Sequence, residues 1–183
     1  MINEVYRGLN FLLVALLCLL LCAFQSVILK LSAISWLELD MLLLVVVYLS
    51  LHRGFIEGAL LVALVGRIAE LHSGAPVGIL IGSYMAVFLA ILFTKEVFLV
   101  GTSFSSIILS VTGGLIWKLA FLILAQRYGI LSNVWRASLE YLVPFLLSLG
   151  VFSRVIFEMM RSIDVWTKME VESEARRLTG EEF

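Results

Sequence analysis

The chain has 183 residues, 62% of them hydrophobic and 15% charged, with a formal net charge of -1. Soluble domains are about half apolar and about a quarter charged, so this chain carries more apolar surface than a water-facing fold of its size hides; the alternative solvent is lipid. The charge argues against a nucleic-acid partner, and the two cysteines, Cys18 and Cys22, both inside the first apolar run, argue against a disulfide framework or a cysteine metal site.

The first apolar segment runs from about Leu9 to Leu29 and is almost purely aliphatic. Leu21 before Cys22 is not small and no small-x-small site follows, so neither a lipoprotein nor a cleaved signal peptide is expected. The second segment, Trp36 to Leu51, is shorter, with Glu38 and Asp40 at its start. The third, Gly54 to about Ala69, carries Glu57 and Arg67; the fourth, Pro76 to Phe93, opens with a proline where helices tolerate one. The fifth extends from about Phe98 to Ala125 and contains Lys118, and the sixth runs from about Leu139 to Met160 with Pro144 one turn in. Backbone groups in lipid must be satisfied within their own segment, and the runs lack the strict alternation of a barrel strand. The predicted fold is therefore an all-α integral membrane protein, a polytopic bundle of about six transmembrane helices over residues 1–161, with a short polar tail over 162–183.

With six spans, Arg7, Arg53, Lys95, Arg161, Lys168, Arg176 and Arg177 share one side, against Lys30, Arg127 and Arg136 on the other. That excess predicts cytoplasmic termini, and Trp36, Trp135 and Trp166 fall near segment ends as an aromatic belt requires. In the tail, Glu172 with Arg176 and Glu174 with Arg177 suit a short solvated continuation of the last helix.

Three segments show small or polar residues every four positions. The third has Gly54, Gly58, Gly66 and Glu70, with Val62 completing the row; the fourth has Gly78, Gly82, Ala86 and Ala90; the fifth has Thr102, Ser106, Ser110, Gly114 and Lys118. Lipid supplies no hydrophobic force between helices, so such stripes serve close backbone approach, either inside the bundle or against a partner's helix. Gly54, Gly58, Gly82, Ala86 and Ala90 are the candidate face for either role. Charges within spans cost a few kcal/mol unless paired, wetted or snorkelling. Glu57 and Arg67 can snorkel to opposite interfaces. Lys118, about two turns from the outer surface, either snorkels outward or faces a cavity with Glu70 as counter-charge. With Ser106 and Ser110 it forms a candidate intramembrane polar site. His52 and His72 lack a Gly-x-Ser-x-Gly partner, and no His-x-x-x-His, Cys-x-x-Cys or paired acidic magnesium motif is present. No enzymatic activity, cofactor or metal is expected.

The stretch from Asp40 to about Ala90 resembles the rod shape-determining protein MreD family. An aliphatic helix, Asp40 through Tyr48 and Leu51, is followed by Arg53-Gly54 and Gly58, then by Gly66, Glu70, Ser73, Gly74, Pro76 and Gly78 in the family's spacing. The family usually has aspartate where this chain has Glu70, often has leucine at Val77, and rarely has an arginine at Arg67. The match covers about a third of the chain; beyond Lys95 and in the first segment it extends only to hydropathy. The resemblance implies a non-enzymatic scaffold of the bacterial inner membrane that binds the single-pass protein MreC. It would belong to the elongation complex with MreB, RodA and a class B penicillin-binding protein, supporting cell shape and lateral peptidoglycan synthesis. The same region and helix count also resemble the substrate-binding component of energy-coupling-factor vitamin transporters. That family docks its coupling subunit through an Ala-x-x-x-Ala face on the first helix. Here Ala15 is followed by Leu19, with Cys18, Cys22 and Ser26 as a weak substitute.

Overall fold

The computed structural model describes residues 2–31, 39–94, 103–129 and 140–167. Among them are six helices and no strand: α1 Ile2–Leu31, α2 Met41–His52, α3 Phe55–Ser73, α4 Ile79–Thr94, α5 Ser103–Arg127 and α6 Leu142–Trp166. Three contain stretches long and apolar enough to cross a membrane: Tyr6–Val27 in α1, Ser106–Arg127 in α5 and Leu142–Trp166, which is α6. The described residues form an all-helical bundle compatible with a membrane location.

Its centre is α2. Residues Met41 to Leu51 are all buried, so the helix is apolar on every side because every side meets another helix. At 12 residues it spans only about 18 Å, against about 30 Å of hydrocarbon. Asp40 caps it, its carboxylate accepting the Leu43 N–H at 3.1 Å, and the same first turn is supported by Gln25 of α1, whose side-chain oxygen accepts the Met41 N–H at 3.3 Å. The helix therefore starts at Met41, later than the apolar pattern alone predicts.

Around α2 the other helices expose apolar faces outward. In α1, Val14, Leu17, Cys18, Leu21 and Cys22 form the buried stripe, while Leu12, Leu16, Leu20, Phe24 and Val27 are exposed. This is the stripe-and-surface division expected of a helix between protein and lipid. Ser26 only bonds its own helix, donating to the Cys22 carbonyl at 2.9 Å.

Neighbouring helices from α3 to α6 run antiparallel, as their register shows. Gly58 of α3 faces Phe88 of α4 while Gly66 faces Ile81; Gly114 of α5 faces Leu149 of α6, and Gly150 faces Ile107. The start of α1 and the ends of α2 and α6 consequently meet at one end of the bundle. The ends of α1, α3 and α5 gather with the starts of α2, α4 and α6 at the other. α6 continues to Trp166, beyond the Met160 expected from hydropathy, and its last turns are not simply solvated: Asp164 and the following Thr167 are buried. The Lys168–Phe183 part of the tail, with Lys95, Trp36 and Trp135, lies outside the described residues.

Candidate functional site

Of the residues that carry the family resemblance, Asp40 to Gly58 lie in and around α2 and at the start of α3, and Glu70, Ser73, Gly74, Pro76 and Gly78 lie at the turn between α3 and α4. Gly74 closes α3 in the left-handed region (φ 66°), its N–H donating to the Glu70 carbonyl at 3.1 Å, the ending that glycine permits without a Cβ penalty. Gly78 also has a positive φ, 97°. Glu70 then reaches across the turn. Its Oε1 accepts the N–H groups of Gly78, Leu80 and Ile81 at 2.7, 3.1 and 3.2 Å, satisfying donors that the first turn of α4 leaves unpaired. A buried carboxylate at a helix N-terminus also meets the favourable end of the helix dipole. Arg67 stands 3.6 Å from Oε2, and Ser73 Oγ accepts the Ala75 N–H at 3.3 Å. Pro76 does not open α4 as expected. It lies in the turn, and the helix begins at Ile79 because the positive φ of Gly78 interrupts the chain just before it.

Most of the glycine stripe is consumed inside the bundle. A methyl group at Gly66 would lie 2.8 Å from the Ile81 Cα, at Gly58 2.6 Å from the Phe88 ring, and at Gly82 2.9 Å from a Leu124 methyl. These glycines set the α3–α4 and α4–α5 spacing. Gly54, which caps α3, has open space around it, and Ala86 and Ala90 are half-buried.

The fifth-segment stripe divides. Ser110 donates to the Ser106 carbonyl at 2.8 Å, so the two serines are tied along their own helix, and Gly114 packs against Leu149. Thr102 lies outside the described residues. Lys118 instead enters a cavity of about 460 Å³ at the end of the bundle where α2 and α4 begin. Its side chain is buried, with Nζ 5.9 Å from the centre of the Trp117 ring and 5.2 Å from that of Phe145. The aromatic wall continues through Phe121, stacked on Trp117 at 5.3 Å. The acidic group that shares this cavity is Asp40, not Glu70. Asp40 accepts the Tyr84 hydroxyl at 2.8 and 3.0 Å, in addition to its capping bond. Glu70, the counter-charge considered for Lys118, does not line this cavity, and its Oε1 is held in the α3–α4 turn.

A second polar cluster fills the opposite end. Arg53, which hydropathy places in an exposed loop, is 4% exposed. Its Nη2 donates to Asn10 Oδ1 at 2.8 Å and forms a short ion pair with Asp164 Oδ1. Asp164 also accepts the Tyr48 hydroxyl at 2.8 Å and the Asn10 amide at 3.1 Å, and that amide reaches Thr167 Oγ1 at 2.7 Å. Glu57 flanks the cluster, 3.5 Å from Arg53 Nη1. A sequence signal for this site is Asn10, a polar residue in register with the buried apolar stripe of Val14, Leu17 and Leu21. Among the described residues, no three His, Cys, Asp or Glu side chains gather as metal ligands. Compared with known protein families, with characterised proteins and with solved structures, the chain matches none of them.

Proposed function

We propose that this chain is an MreD-like, non-enzymatic scaffold of the bacterial cytoplasmic membrane. In this reading all six helices cross the membrane, both termini are cytoplasmic, and MreC is the direct partner. MreB, RodA and a class B penicillin-binding protein are reached directly or through MreC, in support of cell shape and peptidoglycan synthesis. The observation that carries the reading is the α3–α4 turn. There Gly66, Glu70, Gly74 and Gly78, four of the residues that carry the resemblance, act together to close one helix, cap the next and bring the two into contact. A spacing whose members act together mechanically in this chain supports the resemblance.

A second reading, the substrate-binding component of an energy-coupling-factor transporter, is favoured by the cavity holding Asp40, Tyr84 and Lys118 against an aromatic wall. Against it stands the first helix, where Cys18 and Cys22 are buried within the bundle and so offer no outward small-residue face. One experiment separates the two: recovery of tagged protein, expressed at its native level, in mild detergent, with mass spectrometry of whatever accompanies it. MreC and elongation-complex proteins are expected. A coupling subunit with its ATPases would replace the scaffold reading by the transporter reading, and absence of both would sink the scaffold reading.

A further inference from the structure

α6 is one of the helices long and apolar enough to cross a membrane, yet it carries two charges on its outer face. Arg154 lies midway along it and Glu158 one turn later, and their side chains are 75% and 70% exposed. They are not beyond the packed region. On the same turns Ser153, Ile156 and Met160 are buried, and Phe157 packs edge-on against Tyr48 of α2 with ring centres 5.4 Å apart. A charge within a span almost always faces the bundle interior or a wet cavity, because lipid does not solvate it. The pair does little to lower that cost by itself. A single bond, Arg154 Nε to Glu158 Oε1 at 3.3 Å, joins the two side chains, and base before acid is the weaker order for residues four apart on a helix. In a membrane this face needs a polar cover.

The face also has a seam. Leu147, Val151, Arg154, Glu158 and Val165 are all exposed and follow one another in steps of four, three, four and seven. That is the alternation of a heptad repeat, which lets two helices lie side by side along their length. Whatever packs there must bring an acid and a base to the same depth. A second copy of this chain does so by construction: it inserts with the same topology, so its α6 runs parallel and presents the same residues at the same level. A two-fold axis along the membrane normal then makes one patch meet itself. We propose that the outer face of α6 is a homodimer interface, in which each Arg154 reaches the partner's Glu158 while Leu147, Val151 and Val165 pack along the seam. The inference rests on the membrane location of the bundle and not on the scaffold reading.

The test begins in membranes, with Val151→Cys on the seam and Leu16→Cys on the outer face of α1, each oxidised before extraction. The native Cys18 and Cys22 are buried, so the unmodified chain gives the background. Disulfide-linked dimer is expected from Val151→Cys at roughly ten times the yield from Leu16→Cys, since the bond forms only between closely placed Cβ atoms. Next, two differently tagged copies are co-expressed and recovered through one tag in mild detergent. Unmodified copies should recover each other. Two Arg154→Glu copies, which bring only acids to the seam, or two Glu158→Arg copies, which bring only bases, should do so at least about tenfold less. An Arg154→Glu copy with a Glu158→Arg copy should restore recovery, because acids again meet bases. A charge pair that serves only its own helix is not rescued by a second chain. Equal crosslinking at Val151 and Leu16, a Val151 crosslink to a different protein, or loss of recovery without rescue overturns the interface. Should the charge variants fail to insert, the Val151→Cys crosslink decides alone. Elongation-complex proteins are read out separately, so this interface and the scaffold reading can each fail without the other.

Discussion

The two ends of the bundle bury opposite charges in contrasting ways. At the α1–α6 end, Arg53, Asp164, Asn10, Tyr48 and Thr167 form a packed network in which Asp164 accepts from three different side chains. At the other end, Asp40, Tyr84 and Lys118 stand on the wall of a cavity. A charge enclosed by partners depends on every one of them, since loss of one leaves an uncompensated ion in a medium of low dielectric. A charge beside an open cavity can recruit water when a partner is lost. The first arrangement ties helices together; the second leaves room for something else to enter.

The largest expected effect is therefore at the closed end. Asp164→Ala removes the acceptor shared by Arg53, Tyr48 and Asn10 and should cost about 3–5 kcal/mol, measured by denaturant unfolding in mixed micelles. Arg53→Met combined with Asp164→Leu should recover much of that loss, because no isolated charge then remains. If Asp164→Ala unfolds no more easily than Asp40→Asn, the contrast between the two ends collapses.

Helix spacing comes next. Gly66→Val places a branched side chain where even a methyl would lie 2.8 Å from the Ile81 backbone, which cannot swing aside. A loss of about 1–3 kcal/mol is expected by thermal melting in detergent. Gly82→Ala meets a Leu124 methyl at nearly the same distance, 2.9 Å, but that methyl can change rotamer, so its cost should stay below about 1 kcal/mol. Similar costs for the two would mean that distance alone, not the rigidity of the neighbour, sets the penalty.

The α3–α4 turn should rank close behind. Glu70→Ala deprives three N–H groups at the start of α4 of their acceptor and should cost about 1–3 kcal/mol, whereas Glu70→Gln keeps a side-chain oxygen and should cost less than half as much. Equal losses for both variants would show that charge, and not the acceptor geometry, holds the turn. Amide exchange at Gly78, Leu80 and Ile81 would report the same distinction locally.

How much of this was legible in the sequence follows from the range of each interaction. The helical class and the apolar segments were readable because hydropathy and periodicity act over a few residues, whereas the α3–α4 turn was not: Pro76 reads as a helix start, but the positive φ of Gly78 delays α4 to Ile79. Lys118 was recognisable as a cavity candidate because a lysine inside an apolar run needs a partner or a wet site. Its counter-charge was not recognisable. Glu70 and Asp40 both lie near the same end, and hydropathy does not say which of them lines the cavity. The Arg53–Asp164 pair was hidden more deeply. The two residues are 111 positions apart, and local composition assigns one to a loop and the other to a tail. Only the meeting of the α1 start with the α2 and α6 ends makes them neighbours. The same argument explains the glycines: their four-residue period announces close packing, but whether against this chain or a partner depends on Phe88, Ile81 and Leu124, which the period does not mention.

The smallest expected effect is the sharpest check on the open end. If Lys118 and Glu70 were partners, a Lys118→Ala and Glu70→Ala cycle would show strong coupling. In the structure Glu70 is held by Gly78, Leu80, Ile81 and Arg67 and does not line the cavity that Lys118 enters. The two substitutions should therefore be additive within about 0.5 kcal/mol. The matching Lys118→Ala and Asp40→Asn cycle should show a coupling that exceeds this threshold and weakens as salt is raised, because a cavity that ions can enter is screened. A salt-independent Asp40–Lys118 coupling would mean that the cavity is sealed and that this end of the bundle resembles the closed one after all.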